Sequence, residues 1–196
     1  IEGKLGGGFR LAGTIEKPEL RGNLGLVDGR VGEAKMREFT VDLAPSEGGY
    51  ALETVLDFFD TGGLQIKGFL PLDLRFDKDV DLARPGLDIK IEGDGIPLAM
   101  AAGPTGLAEA RGTLSLTGEI LGTLAKPEPK LALGSNDAGF TLLATALRYD
   151  PIDIDIEYQP DKLLIRDISV RSSQLWGQTP KSGTISVAGD VGLDET

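Results

Sequence analysis

The sequence predicts an all-β protein whose strands stack one after another in a single direction, and three observations predict it. Apolar and polar residues alternate with period two through most of the chain, the pattern of half-buried strands whose two faces see different surroundings. Nearly every alternating segment is bounded by Gly, Pro, Asn or Asp, which supply the φ values of turns, and glycine is abundant, at 28 of 196 residues. A helical period of 3.6 is sustained nowhere.

In chain order, Phe9 with Leu11 and Leu24 with Leu26 open the pattern. Glu33 to Glu38 holds helix-forming residues without a 3.6 period, and alternation resumes at Phe39, Val41 and Leu43. The clearest stripe is Leu70, Leu72, Leu74 and Phe76 against Asp73, Arg75 and Asp77, which predicts a strand over 70–76. Leu87, Ile89 and Ile91 follow. Ile96 to Arg111 has room for one short helix, interrupted at Gly103-Pro104. Beyond it come Leu114 with Leu116, Leu131 with Leu133, then Ile152, Ile154, Ile156 and Tyr158 against Asp153, Asp155 and Glu157, and finally Ile185 with Val187. About twelve strands at roughly 4.8 Å each make a sheet on the order of 55 to 60 Å long.

The phrase Gly13-Thr14-Ile15-Glu16-Lys17-Pro18-Glu19 returns as Gly122-Thr123-Leu124-Ala125-Lys126-Pro127-Glu128, five of seven positions identical at an offset of 109. This predicts two related units, approximately 1–110 and 111–196, within one segment. Units that cannot bury their own apolar faces stack into a quasi-one-dimensional β architecture rather than a closed globule.

Composition removes several kinds of chemistry. With no histidine and no cysteine there is no tetrahedral zinc site, haem or iron–sulfur ligation, catalytic triad or thiol redox chemistry, so neither an enzyme nor a cofactor is expected. A net charge of −11 and no cluster of cations interleaved with aromatics argue against nucleic acid. No apolar run approaches the roughly 20 residues of a membrane helix. Beginning at Ile1, the chain reads as a piece of a longer protein.

Asp153, Asp155 and Glu157 share a strand face and read as a solvated surface rather than a calcium or catalytic pair. Asp77-Lys78-Asp79-Val80-Asp81 begins like an EF-hand loop, but Leu82 stands where glycine is required, so it reads as a polar turn. Gly6-Gly7-Gly8 has no following G-K-[ST] and reads as a flexible entry to the first strand. Trp176 reads as a half-buried packing residue in a turn.

The strand phrases of Phe9 to Val31, Leu64 to Phe76, Leu87 to Gly139 and Leu163 to Leu193, taken in that order, resemble the C-terminal region of the TamB family, inner-membrane subunits of the bacterial translocation and assembly module. The resemblance covers most of the chain and implies a β-taco, a curved open sheet or half-barrel with an apolar groove and at most one short helix. It implies a periplasmic segment of an inner-membrane-anchored protein in a Gram-negative bacterium, an Omp85-type outer-membrane barrel partner for the full-length protein, and kinship with AsmA-like bridges that conduct phospholipids.

Periodicity alone favours an ordinary sandwich core, because most alternating strands pack on another sheet; the resemblance reverses that weighting towards a groove. Its expected lining is Leu70, Leu72, Leu74, Phe76, Leu87, Ile89, Ile91, Leu114, Leu116, Leu131, Leu133, Ile152, Ile154 and Ile156. With aromatics at only 6% the lining is aliphatic, which suits acyl chains better than sugars or bases. The alternatives are a chaperone-like module that receives outer-membrane β-strands at its sheet edges, and an inert structural repeat. On this reading of the aspartates, calcium or EDTA leaves the melting temperature unchanged, since a ligand of the native state raises it by mass action; a rise of several degrees with calcium in a thermal scan overturns the reading.

Overall fold

The computed structural model describes residues 2–75, 79–102, 106–145, 147–174 and 182–193; Phe76, the start of the Asp77–Asp81 turn and Trp176 lie outside them. Among these residues eleven strands form one sheet: β1 (Glu2–Gly13), β2 (Pro18–Val31), β3 (Ala34–Ser46), β4 (Gly49–Phe58), β5 (Gly63–Leu70), β6 (Pro85–Pro97), β7 (Leu107–Thr123), β8 (Pro127–Leu142), β9 (Leu147–Gln159), β10 (Lys162–Gln174) and β11 (Ser182–Gly192). Their order in the sheet is their order in the chain, every pairing is antiparallel, and β1 and β11 are the two outer strands. The protein is therefore all-β and open, as the alternation predicts. Glu33 to Glu38 lies in the β2–β3 turn and the start of β3.

The repeated phrase makes the same turn twice. Thr14 N–H donates to Lys17 O (3.1 Å) and Lys17 N–H to Thr14 Oγ1 (3.1 Å), while Thr123 N–H donates to Lys126 O (3.2 Å) and Lys126 N–H to Thr123 Oγ1 (2.9 Å). Gly13 and Gly122 precede these turns at φ 86° and 94°, which a side chain rarely adopts. The turns join β1 to β2 and β7 to β8, and position 110/111 falls inside β7 of a continuous sheet.

Beyond Leu70 the stripe expected over 70–76 is not a strand in its described part, 71–75. β5 ends at Leu70; Pro71 is buried and has no N–H for the ladder, and Leu72 N–H turns back onto Leu70 O at 2.8 Å. Leu72 and Leu74 lie on the connection to β6, where Arg75 Nε donates to both Asp73 carboxylate oxygens at 3.0 and 2.9 Å. Alternation there reflects a short irregular run held by its own ion pair. Among the described residues, the one short helix expected within Ile96–Arg111 is a 3₁₀ turn, Leu98–Ala101, between Pro97 at the end of β6 and Leu107 at the start of β7.

That turn shows how the sheet is bent. Ala34 and Met36 on β3, Phe58 on β4 and Ile96 on β6 form one buried cluster, with Leu26, Phe39, Leu56, Leu64, Leu114 and Leu116 packed around it. On a flat sheet β3 and β6 stand about 14 Å apart, so their side chains join one cluster only if the sheet curls with this face inward. The 3₁₀ turn closes the curl: Glu33 N–H donates to Ala99 O at 2.9 Å, and a Cβ on Gly32 (φ 59°) would lie 2.4 Å from Met100 O, so only glycine admits the approach. Near the opposite ends of these strands the buried Tyr50 spans β3, its hydroxyl donating to Pro18 O (3.3 Å) and accepting from Leu20 N–H (3.4 Å).

Met36, 1% exposed at the centre of the cluster, and Ile185, 64% exposed on β11, make a direct comparison. Met36→Ala lowers stability in urea by about 2–5 kcal/mol, and Ile185→Ala by less than about 0.5 kcal/mol. Equal effects would mean the cluster is not the core.

Candidate functional site

In an antiparallel pair, residues directly opposite one another lie on the same face, so the strand registers trace rows across the sheet. One row begins at Leu5 and runs Leu26, Phe39, Leu56, Leu64 and Gly93. It continues through Leu116, Leu133, Ile156, Ile165 and Gly189. The next row is Gly7, Leu24, Val41, Thr54, Ile66 and Ile91, then Gly118, Leu131, Tyr158, Leu163 and Val191. Neither row contains a charge. Ten strand spacings of roughly 4.8 Å give an unbroken apolar face about 48 Å long.

This is the inward face, since the first row supplies the side chains packed around the buried cluster. Between the exposed ends at Leu5 and Gly189, the row is half-buried, with Gly93 alone fully buried. The opposite face is polar: one row there reads Asp42, Glu53, Lys67, Lys90, Glu119 and Lys130. Ion pairs cross it from Lys67 to Glu53 (3.0 Å) and from Lys130 to Glu119 (3.5 Å). The molecule is thus a curled sheet with an aliphatic inside and a charged outside.

Most of the expected lining residues lie on the inward face. Leu87, Ile89 and Ile91 are on β6, Leu114 and Leu116 on β7, Leu131 and Leu133 on β8, and Ile152, Ile154 and Ile156 on β9. Leu70 ends β5 opposite Tyr50. Leu72 and Leu74 instead lie on the β5–β6 connection, not on a groove strand, and line an open cleft of about 440 Å³ with Glu16, Lys17, Glu19, Arg75 and Arg84. Phe76 lies outside the described residues.

The expected lining omitted half of the face. Phe39, Val41 and Leu43 on β3 alternate visibly yet were not placed there, and β4, β5 and β10 contribute Leu56, Leu64, Ile66, Leu163 and Ile165. The available signal was continuity: in a meander every alternating strand must lay its apolar side on the same face.

Asp153 and Asp155 are exposed on the charged face. Asp153 accepts from Ser169 Oγ at 3.3 Å and Glu157 accepts from Arg166 Nη2 at 2.6 Å. Among the described residues no group of three or more acidic side chains is placed to hold a metal ion. At the β8–β9 rim, burial pushes the Asp150 carboxyl up, but hydrogen bonds from Arg148 and Arg111 outweigh it and hold the group below the ordinary aspartate value.

The register between β8 and β9 shifts between Gly134 and Ala138, and one side chain repairs the gap. Ser135 Oγ donates to Ile152 O at 3.0 Å and accepts from Ile154 N–H at 2.8 Å, so a hydroxyl replaces ladder bonds beside the Ile152–Ile156 stripe. Comparison with protein-family models, curated proteins and solved structures finds no match to this chain.

Removing that hydroxyl leaves two β9 backbone groups without a partner. Ser135→Ala is expected to cost about 1–2 kcal/mol in urea unfolding and to raise amide exchange at Ile154; unchanged exchange there would show that the bridge is not needed.

Proposed function

We propose that the inward face binds acyl chains without catalysis, as one segment of a longer periplasmic bridge that conducts phospholipids between the inner and outer membranes of a Gram-negative bacterium. The observation that supports this reading is the pair of charge-free, mostly aliphatic rows running the whole length of an open sheet. Each methylene moved from water onto such a face contributes about 0.8 kcal/mol, and the contribution is non-directional. An acyl chain therefore slides from strand to strand with little change in energy, whereas a charged head group stays outside. Contact with an Omp85-type barrel belongs, on this reading, to the full-length protein.

The test uses adjacent residues with opposite surroundings. Ile154 lies in the apolar stripe, opposite Ile168, while Asp155 is exposed on the charged face. The natively purified protein is expected to yield phospholipid on extraction and mass spectrometry. Ile154→Asp, which sets a carboxylate among acyl chains, is expected to lose most of that lipid with its circular dichroism intact, and Asp155→Ala to keep it. An Ile154→Asp variant that unfolds would mean that the stripe is a packed core. A folded variant still fully loaded, or bound polypeptide in place of lipid, would equally overturn the reading.

A further inference from the structure

One rim of the sheet gathers charge at the margin of the apolar face. The β1–β2 turn, the β3–β4 turn and the β5–β6 connection stand side by side there and border the open cleft of about 440 Å³ that Leu72 and Leu74 line. Its apolar floor belongs to the inward face: the buried Tyr50 lies opposite Pro45 and Leu70, in phase along β4 with Thr54 and Leu56. Around that floor stand three cations, Lys17, Arg75 and Arg84, and three carboxylates, Glu16, Glu19 and Asp73.

Asp73 and Arg75 cancel, since Arg75 Nε and Nη2 hold the carboxylate at 2.9 and 2.6 Å. The side chains of Glu16, Lys17, Glu19 and Arg84 make no hydrogen bond or ion pair among the described residues. Arg84 is half-buried, and a Cβ on Gly48 would lie 3.5 Å from its Nη2, so the guanidinium reaches from the start of β6 to the β3–β4 turn. A cation partly withdrawn from water with no anion beside it invites one.

We propose that this cleft binds the zwitterionic head group of the phospholipid whose chains the inward face takes, an assignment that rests on the reading above, with the phosphodiester on Arg84 and Lys17 and the ammonium on Glu16 and Glu19. A guanidinium matches two phosphate oxygens at once. A purely anionic head group would meet the same two cations but be repelled by Glu16 and Glu19, and at longer range by the net charge of −11. An ammonium turns those carboxylates into partners. The attachment also fits in length. Tyr50 and Thr54 are about 13 Å apart along β4, and an acyl chain spans about 15 Å, half of a bilayer's hydrocarbon core. A lipid held at the rim by its head group therefore lays its chains across the apolar rows.

The test equilibrates the protein with vesicles of equal parts phosphatidylethanolamine and phosphatidylglycerol, separates the two, and measures the lipid extracted from the protein by mass spectrometry. Phosphatidylethanolamine is expected in about threefold excess, the size of preference that exposed charge pairs give. Arg84→Gln and Lys17→Gln are each expected to lower that excess with total lipid and circular dichroism unchanged; Lys17 makes its turn through the backbone N–H, which the substitution keeps. Glu16→Gln with Glu19→Gln is expected to turn the preference towards phosphatidylglycerol. In amide spectra of the unmodified chain, glycerophosphoethanolamine is expected to shift Lys17 and Gly48, and inorganic phosphate at the same concentration to leave them in place. Bound lipid without preference, or a preference untouched by both cation variants, overturns the head-group site and leaves the acyl-chain reading standing. No bound lipid overturns both. Equal shifts by inorganic phosphate would mean a site for free anions and would overturn the head-group site as well.

Discussion

Everything in this molecule rests on holding one set of side chains on one face through ten successive antiparallel pairings. Strand side chains alternate with period two, so a slip of one residue at any pairing would turn the apolar set of every later strand outward. Tight turns keep the phase at strand ends, and bulges restore it where the apolar spacing changes. Gly93 and Ile96, and again Ile165 and Ile168, are three residues apart yet occupy the same face, because a register shift lies between each pair. In β6 the shift passes through Gly95 at φ 66°, where a Cβ would stand 2.5 Å from Gly62 N.

That constraint also explains how far the sequence could be read. The stripes on β6 and β9 alternate in strict phase, and both were legible from residue types alone. β10 was not: Leu163-Leu164-Ile165-Arg166-Asp167-Ile168 breaks its alternation at the bulge, where an extra residue is absorbed. β4 and β5 are short and carry Thr54 and Gly68 at inward positions, which dilutes their pattern. The reverse case, alternation without a strand, is Leu72 to Arg75, just after Pro71 removes the donor a ladder needs. No local signal marks the curl, because the cluster of Met36, Phe58 and Ile96 gathers side chains from strands up to three places apart.

The inward face is not uniform along its length. Around Met36, Phe58 and Ile96 it is closed by the 3₁₀ turn and packed as a core; the same rows stay half-buried through β8 to β10 and are exposed on β11, at Gly189 and Val191. One continuous surface therefore both stabilises the fold and leaves apolar area unoccupied. The packed end anchors the curl, and the open end inherits its curvature from strand twist and pairing alone.

Strict pairing between sequence neighbours has a consequence for how such a chain can change over evolution. In a closed barrel, strand number, stagger and diameter are linked, so one added strand disturbs all the others. Here a hairpin inserted at a turn lengthens the sheet by about 9.6 Å and asks no existing strand beyond the insertion point to find a new partner. Reach becomes a quantity that tandem duplication can adjust in steps, without inventing a fold. The Gly-Thr-x-x-Lys-Pro-Glu turn stands twice, at an offset of 109 residues, with the same hydrogen bonds at both places.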